Sequence, residues 1–155
     1  MLTHLNENGE ANMVDVGEKA VTVRTATAYA RLRMQPATLQ ALLTAQLKKG
    51  DGLAAARIAG ILGGKRTAEL IPLCHPIPID KLDIRFEQEG TDALGIYADA
   101  KCTYKTGIEM EALTAAGVAA LTVYDMCKAI DRGMVIEEIK LLEKTGGKSD
   151  YRYEG

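Results

Sequence analysis

The sequence predicts an α+β fold, a ferredoxin-like antiparallel sheet with helices packed on one face. Three observations predict it. Apolar residues alternate with polar ones at Leu82, Ile84 and Phe86, and again at Leu94, Ile96, Ala98 and Ala100, on either side of a turn at Gly90. That period of two belongs to a half-buried antiparallel hairpin. Residues 112–124 run for 13 positions without a formal charge and are rich in Ala, Gly, Leu and Val, which reads as a helix apolar all round and buried on several sides. The element order β-α-α-β-β-α-β sets those helices against one sheet.

The elements follow from local chemistry. Residues 1–19 are polar, contain Asn-Glu-Asn-Gly and read as an irregular arm, with Met13-Val14-Asp15-Val16 as the part that docks. Ala20 to Met34 alternates through Val21, Val23, Tyr29 and Leu32 as a strand with a bend in its middle. Pro36 suits the first turn of a helix over 36–50 that Gly50 closes, with Lys48 and Lys49 in its last turn. Asp51 is placed to cap a second helix over 52–70, which the Gly63-Gly64 pair breaks or kinks before Lys65 and Arg66. Three prolines, Pro72, Pro76 and Pro78, exclude helix from residues 71–78 and make a stiff extended loop carrying Cys74 and His75. After the hairpin, one long helix covers Gly107 to Asp131, Met134 to Leu142 is the last strand, and residues 145–155 form a flexible tail.

A chain of 155 residues buries about 70% of its unfolded surface as a single domain and needs no staples. No internal repeat or long linker divides it. With 19 basic and 21 acidic residues the net charge is −2, so no global field draws nucleic acid or membrane and an anionic ligand needs a local basic cluster. One Phe and no Trp leave no aromatic platform for stacking bases along a groove. Three cysteines without CxxC spacing point to a reducing compartment. With no apolar signal core or targeting peptide at the N-terminus, a soluble cytoplasmic protein is expected. The uncharged run is shorter than the roughly 18 apolar residues of a membrane span.

Candidate chemistry gathers at the two ends of the long helix. Asp125 and Lys128 are at i,i+3 and share a helix face. They are either an ion pair that ends a core helix or a carboxylate and ammonium set at a cleft for proton transfer, with burial and mutual charge tuning both. Glu109 and Glu111 open the same helix, where acidic side chains suit its dipole. Glu111 and Asp125 are 14 residues apart, about 21 Å along a helix. They can hardly meet one reacting atom within a single chain; if both serve a site they hold opposite ends of a long ligand or belong to different subunits, and the geometry favours a site between subunits. Of the two histidines, His4 lies in the arm and His75 is held between Cys74 and Pro76. Cys74 and His75 show no paired-ligand spacing, so no metal site is expected. The lysines fall into local groups at Lys48-Lys49, Lys65-Arg66, and Lys144 with Lys148 around Gly146-Gly147. The last group lacks the spacing of a Walker loop, but flexible glycines beside two lysines suit a polyphosphate.

The blocks Leu73-Cys74-His75-Pro76, Met110-Glu111-Ala112-Leu113-Thr114-Ala115 and Tyr124-Asp125-Met126-Cys127-Lys128-Ala129 resemble the cyclic pyranopterin monophosphate synthase family, the accessory protein C of molybdenum cofactor biosynthesis. The resemblance runs from Met13-Val14-Asp15-Val16 to Leu142-Glu143-Lys144-Thr145-Gly146-Gly147-Lys148-Ser149, nearly the whole chain, with Asn12 standing where a basic residue is expected. It implies a diphosphate-releasing lyase that converts a cyclised dihydro-GTP into cyclic pyranopterin monophosphate. It also implies a ferredoxin-like fold assembled as a hexamer from dimers, with sites between subunits. By the same resemblance Asp125 is the acid/base and Lys128 its partner. Leu73, Cys74, His75, Met110 and Glu111 line the substrate pocket, and Lys49, Lys65, Lys144 and Lys148 serve the triphosphate and ring chemistry. No redox cofactor is implied, and Mg²⁺ accompanying the triphosphate is left open. A non-catalytic nucleotide-binding regulator and a purely structural oligomer are the rival readings.

Overall fold

The computed structural model describes residues 7–155. The element order is β1 (Thr22–Arg33), α1 (Pro36–Leu43), α2 (Gly52–Lys65), α3 (Thr67–Leu70), β2 (Ile79–Glu89), β3 (Ala93–Tyr104), α4 (Glu109–Cys127), β4 (Val135–Thr145) and β5 (Tyr151–Arg152). One five-stranded sheet has the order β2-β3-β1-β4-β5 with every pair antiparallel. Its first four strands have the split-βαβ order expected from the sequence.

The core lies between one face of this sheet and α4 with α2. Ala26, Ala28, Ala30 and Leu32 alternate inward from β1, Leu94, Ile96, Ala98 and Ala100 from β3, and Leu82 and Ile84 from β2. Against them α4 turns Ala112, Ala115, Ala116, Ala119, Ala120 and Val123, all fully buried. Small side chains on both layers let helix and sheet approach closely and still pack without voids. The opposite face of the sheet carries paired charges: Arg31 binds Glu89 and Glu137, and Arg85 binds Asp99 and stacks on Tyr97.

Several elements differ from the sequence expectation. The first helix stops at Leu43, not Gly50, because Ala45 turns to φ 55° and Leu47 drops into the core at 8% exposure. Gly50, at φ 108°, closes a tight turn back to the Leu47 carbonyl at 3.0 Å, so Lys48 and Lys49 leave the helix end and sit on that turn. Asp51 does cap α2, its Oδ1 accepting from the Ala54 amide at 3.1 Å. The helix runs unbroken through the Gly63-Gly64 pair and ends at Lys65, with the short α3 following from Thr67. The glycines admit α4 instead: a Cβ at Gly63 would meet Val118 Cβ at 2.9 Å, and one at Gly60 the Ala115 carbonyl oxygen at 2.9 Å. α4 covers Glu109–Cys127, shorter than the expected Gly107 to Asp131; it is buried on several sides as expected, with Leu121 left 61% exposed. β4 runs on to Thr145, and the tail expected to be flexible returns as β5, pairing Tyr151 with Lys144 and Arg152 with Glu143.

Candidate active site

At the start of α4 three segments converge. The proline-framed loop enters a turn in which the Cys74 amide donates to the Ile71 carbonyl at 3.1 Å, which fixes Cys74 and His75 beside the first turn of α4. The arm contributes Val14 and Val16, and the loop before α4 contributes Thr106 and Gly107. Together they enclose a cleft of about 200 Å³ lined by Leu73, Cys74, His75, Ile77, Glu109, Met110 and Glu111. All five pocket residues expected from the resemblance thus share one cleft. Docking of the arm through Val16, 8% exposed, matches the expectation for Met13-Val14-Asp15-Val16. Residue His4 lies outside the described residues.

Burial governs the electrostatics here. Glu111 is 3% exposed, and desolvation, helped by the neighbouring Glu109 charge, pushes its carboxyl from 4.5 up to about 7. Burial, with Glu111 and Glu109 behind it, also raises the Cys74 thiol, so Cys74 is held as a thiol and not as a nucleophilic thiolate. The cleft continues in three directions through shared side chains. Glu111 also walls a smaller recess of about 150 Å³ with Lys65, Thr67, Glu69 and Pro76. Glu109 pairs with Lys144 at 3.5 Å. Lys19 leads into a basic recess of about 430 Å³ with Arg24, Gly146, Gly147 and Lys148. Arg24 was not singled out in the sequence; its guanidinium is fixed by the carbonyls of Tyr104 at 3.0 Å and Lys105 at 3.1 Å.

The far end of α4 holds a separate cluster. Lys128 reaches Asp125 at 2.9 Å, and Lys49, brought in on its glycine-closed turn, reaches the other carboxylate oxygen at 3.0 Å. Lys128 first, then Lys49, hold the Asp125 carboxyl below the usual carboxylate range. The expectation that burial tunes this pair is overturned in the single chain, because Asp125 and Lys128 are each 54% exposed; hydrogen bonds and charge from Lys128 and Lys49 outweigh the small desolvation that opposes them. The backbone behind the cluster is firm. Asp131, 5% exposed, accepts from the Gln35 amide and the Thr38 hydroxyl, each at 2.9 Å, and from the Gly133 amide at 3.2 Å, tying the end of α4 to the start of α1.

Leu73, Cys74, His75, Met110, Glu111, Lys65, Lys144 and Lys148 therefore adjoin one system of clefts, while Lys49, Asp125 and Lys128 stand about 21 Å away along a rigid helix. Among the described residues no group of three or more His, Cys, Asp or Glu side chains could hold a metal ion, and no helix is long and apolar enough to cross a membrane. The MoaC family model matches residues 13–147. A protein of Herpetosiphon aurantiacus named cyclic pyranopterin monophosphate synthase is 57% identical over 155 residues, which cover 99% of this chain and 94% of that protein.

Proposed function

The chain belongs to the MoaC family, and on that premise we propose that it acts in molybdenum cofactor biosynthesis as a lyase. The reaction converts 3′,8-cyclo-7,8-dihydroguanosine 5′-triphosphate into cyclic pyranopterin monophosphate with release of diphosphate. The observation that carries this reading is the Lys49–Asp125–Lys128 cluster. Asp125, kept ionised by its two lysines, is the proton acceptor, and Lys128 is the donor that answers it during ring opening and reclosure. In the phosphate step a ribose hydroxyl oxygen bonds to the innermost phosphorus as the bond to the departing diphosphate breaks. The hydroxyl proton goes to a base, and the electron pair leaves on the diphosphate. Cations from Lys49, Lys65, Lys144 and Lys148 offset the charge that develops there. The residues themselves supply proton transfer and charge neutralisation; Mg²⁺ would travel with the triphosphate.

Two distant clusters act on one substrate when chains pair. Thr114, Gly117 and Leu121 lie on the side of α4 in line with Asp125, the first two half-buried and Leu121 open to solvent, an uncharged strip continuous with the catalytic pair. Position 118 is midway between Glu111 and Asp125. An antiparallel pairing of α4 with its copy about a two-fold axis near Val118 therefore sets Glu111 of one subunit opposite Asp125 of the other. Such dimers assemble into a hexamer as a trimer of dimers, located in the cytoplasm. Leu121→Glu, at a position open to solvent in the single chain, should lower the native mass and abolish turnover together while leaving the circular dichroism spectrum intact. An unchanged mass refutes this pairing.

The reaction is tested by following diphosphate and pterin release from the cyclised dihydro-GTP with wild type and Asp125→Asn. Turnover by wild type that collapses in the variant is expected. Binding without turnover by wild type would make the chain a nucleotide-binding protein and overturn the proposal.

A further inference from the structure

The turn that carries Lys49 has a conformation its sequence does not favour. At the end of α1 the Gln46 amide donates to the Ala41 carbonyl at 2.9 Å, and the Ala45 amide donates to the Leu42 carbonyl at 3.3 Å. That pair of bonds is a Schellman motif, whose left-handed position normally goes to glycine. Here Ala45 takes it at φ 55°, the only non-glycine residue with positive φ among the described residues. Its Cβ makes that conformation costly, so it persists only where the surroundings hold it. The anchor is Leu47, two residues on. Its side chain is buried, and its carbonyl accepts from the Gly50 amide at 3.0 Å.

The seat of Leu47 is a notch in α2. Gly52 is buried, and a Cβ there would meet Leu42 Cδ1 at 2.6 Å, Leu47 Cδ1 at 2.9 Å and Met126 Cβ at 3.5 Å. The missing side chain lets Leu42 from α1, Leu47 from the turn and Met126 from α4 close over one point. Met126 adjoins Asp125, so the notch fixes the turn against the part of α4 that presents the carboxylate. From that turn Lys49 Nζ donates to Asp125 Oδ2 at 3.0 Å and to the Asp125 carbonyl at 3.3 Å. Both side chains are half-exposed, and an exposed ion pair between flexible side chains holds little by itself. The backbone beneath Lys49 therefore decides where its ammonium stands.

We propose that Leu47 is a positioning residue for the reaction: locked over Gly52 beside Met126, it sets Lys49 on Asp125. The assignment rests on the functional reading above and deepens it by naming what holds the second lysine in place. Leu47 is buried and acts through Lys49. The cations facing the Asp125 carboxylate are Lys128 from α4 and Lys49 from the turn. With the anchor lost, Lys128 faces it alone and the carboxylate keeps its proton to a higher pH. Leu47→Ala removes the anchor, whereas Gly52→Ala leaves it whole and fills its seat. Two changes of opposite sign in volume thus share one expected effect, which separates this role from simple packing.

The test uses assembled full-length proteins whose native mass and circular dichroism match wild type, with Leu47→Met as the conservative control. In Leu47→Ala and Gly52→Ala, kcat for the cyclised dihydro-GTP should fall at least about tenfold, with KM changing less, because the loss is in proton transfer. The acidic limb of their pH–kcat profiles, where Asp125 takes its proton, should move to higher pH. Leu47→Met should restore both. Independently of turnover, acetic anhydride should modify Lys49 faster in both variants, read by peptide mass spectrometry against Lys101 on β3, because the amine has left its two acceptors. If Leu47→Ala does not fold, Leu47→Val, which shortens the anchor, is read in the same way. A folded variant with the wild-type Lys49 labelling rate overturns the assignment, and so does one with an unmoved acidic limb. A wild type that turns over no substrate removes the reaction reading instead, and the placement of Lys49 then stands or falls on the labelling.

Discussion

Glu111→Gln should change how the stability of this protein depends on pH. The carboxyl rises from 4.5 to about 7 on folding because burial removes it from water, with the Glu109 charge adding to the effect. Facing it are Glu109 from its own helix, His75 and Cys74 from the proline loop, Cys102 from β3, and Lys65 across the smaller recess. The folded protein holds the proton more tightly than the unfolded chain does. The protonated carboxyl's contribution is thus fully present below pH 4.5 and is lost as pH rises through about 7. At ~1.4 kcal/mol per tenfold change in proton affinity, the loss amounts to about 3 kcal/mol. For a chain of this size that corresponds to roughly 10 °C in Tm. Glutamine has nearly the same shape and never ionises, so the variant lacks this slope. The assay is urea or thermal denaturation of both proteins from pH 4 to 8.5 at fixed protein concentration. The difference between them should grow in the variant's favour across pH 5–7 and then level off. A difference that stays flat over this range would refute the reasoning, whatever its constant offset.

Two other substitutions test separate parts of the structure. Lys128→Ala should abolish product formation yet leave the oligomer and its Tm within about 2 °C, because an exposed ion pair at a helix end contributes little to folding; normal turnover would take Lys128 out of the mechanism. Gly60→Ala should cost about 1–3 kcal/mol by overpacking, since the added Cβ would lie 2.9 Å from the Ala115 carbonyl oxygen and 3.2 Å from Ala119 Cβ, and neither helix backbone yields cheaply. Urea denaturation measures it, and an unchanged midpoint would show that α2 and α4 separate freely.

What the sequence discloses here is what short-range chemistry determines. The period of two in β2 and β3, the Asp51 cap and the Asp125–Lys128 contact each depend on residues within a few positions, and each is present in the fold. The misreadings occur where a distant partner decides. Residues 44–49 contain good helix formers, yet burial of Leu47 turns the chain out of α1. Gly63 and Gly64 cost the helix about 1 kcal/mol each in propensity, and the close approach of α4 offsets it. Nothing in Lys148-Ser149-Asp150-Tyr151-Arg152 alternates enough to announce a strand; β5 exists because β4 offers it an edge.

The same division applies to the site. Its residue types were readable, but the cleft is assembled from positions 14–19, 73–77 and 106–111, and no spacing rule links segments so far apart. One long-range fact was nevertheless legible, because a helix converts sequence distance into length. α4 is unbroken from Glu109 to Cys127, so the roughly 21 Å between Glu111 and Asp125 cannot close by any bending of a loop. If ring recognition sits at one end of α4 and proton transfer at the other, a lone chain holds two half-sites facing different substrates. The uncharged strip between them, with Leu121 open to solvent, is then more than a packing surface. It sets the register in which a second copy brings the missing half, so a change there should affect catalysis without touching any residue that contacts substrate.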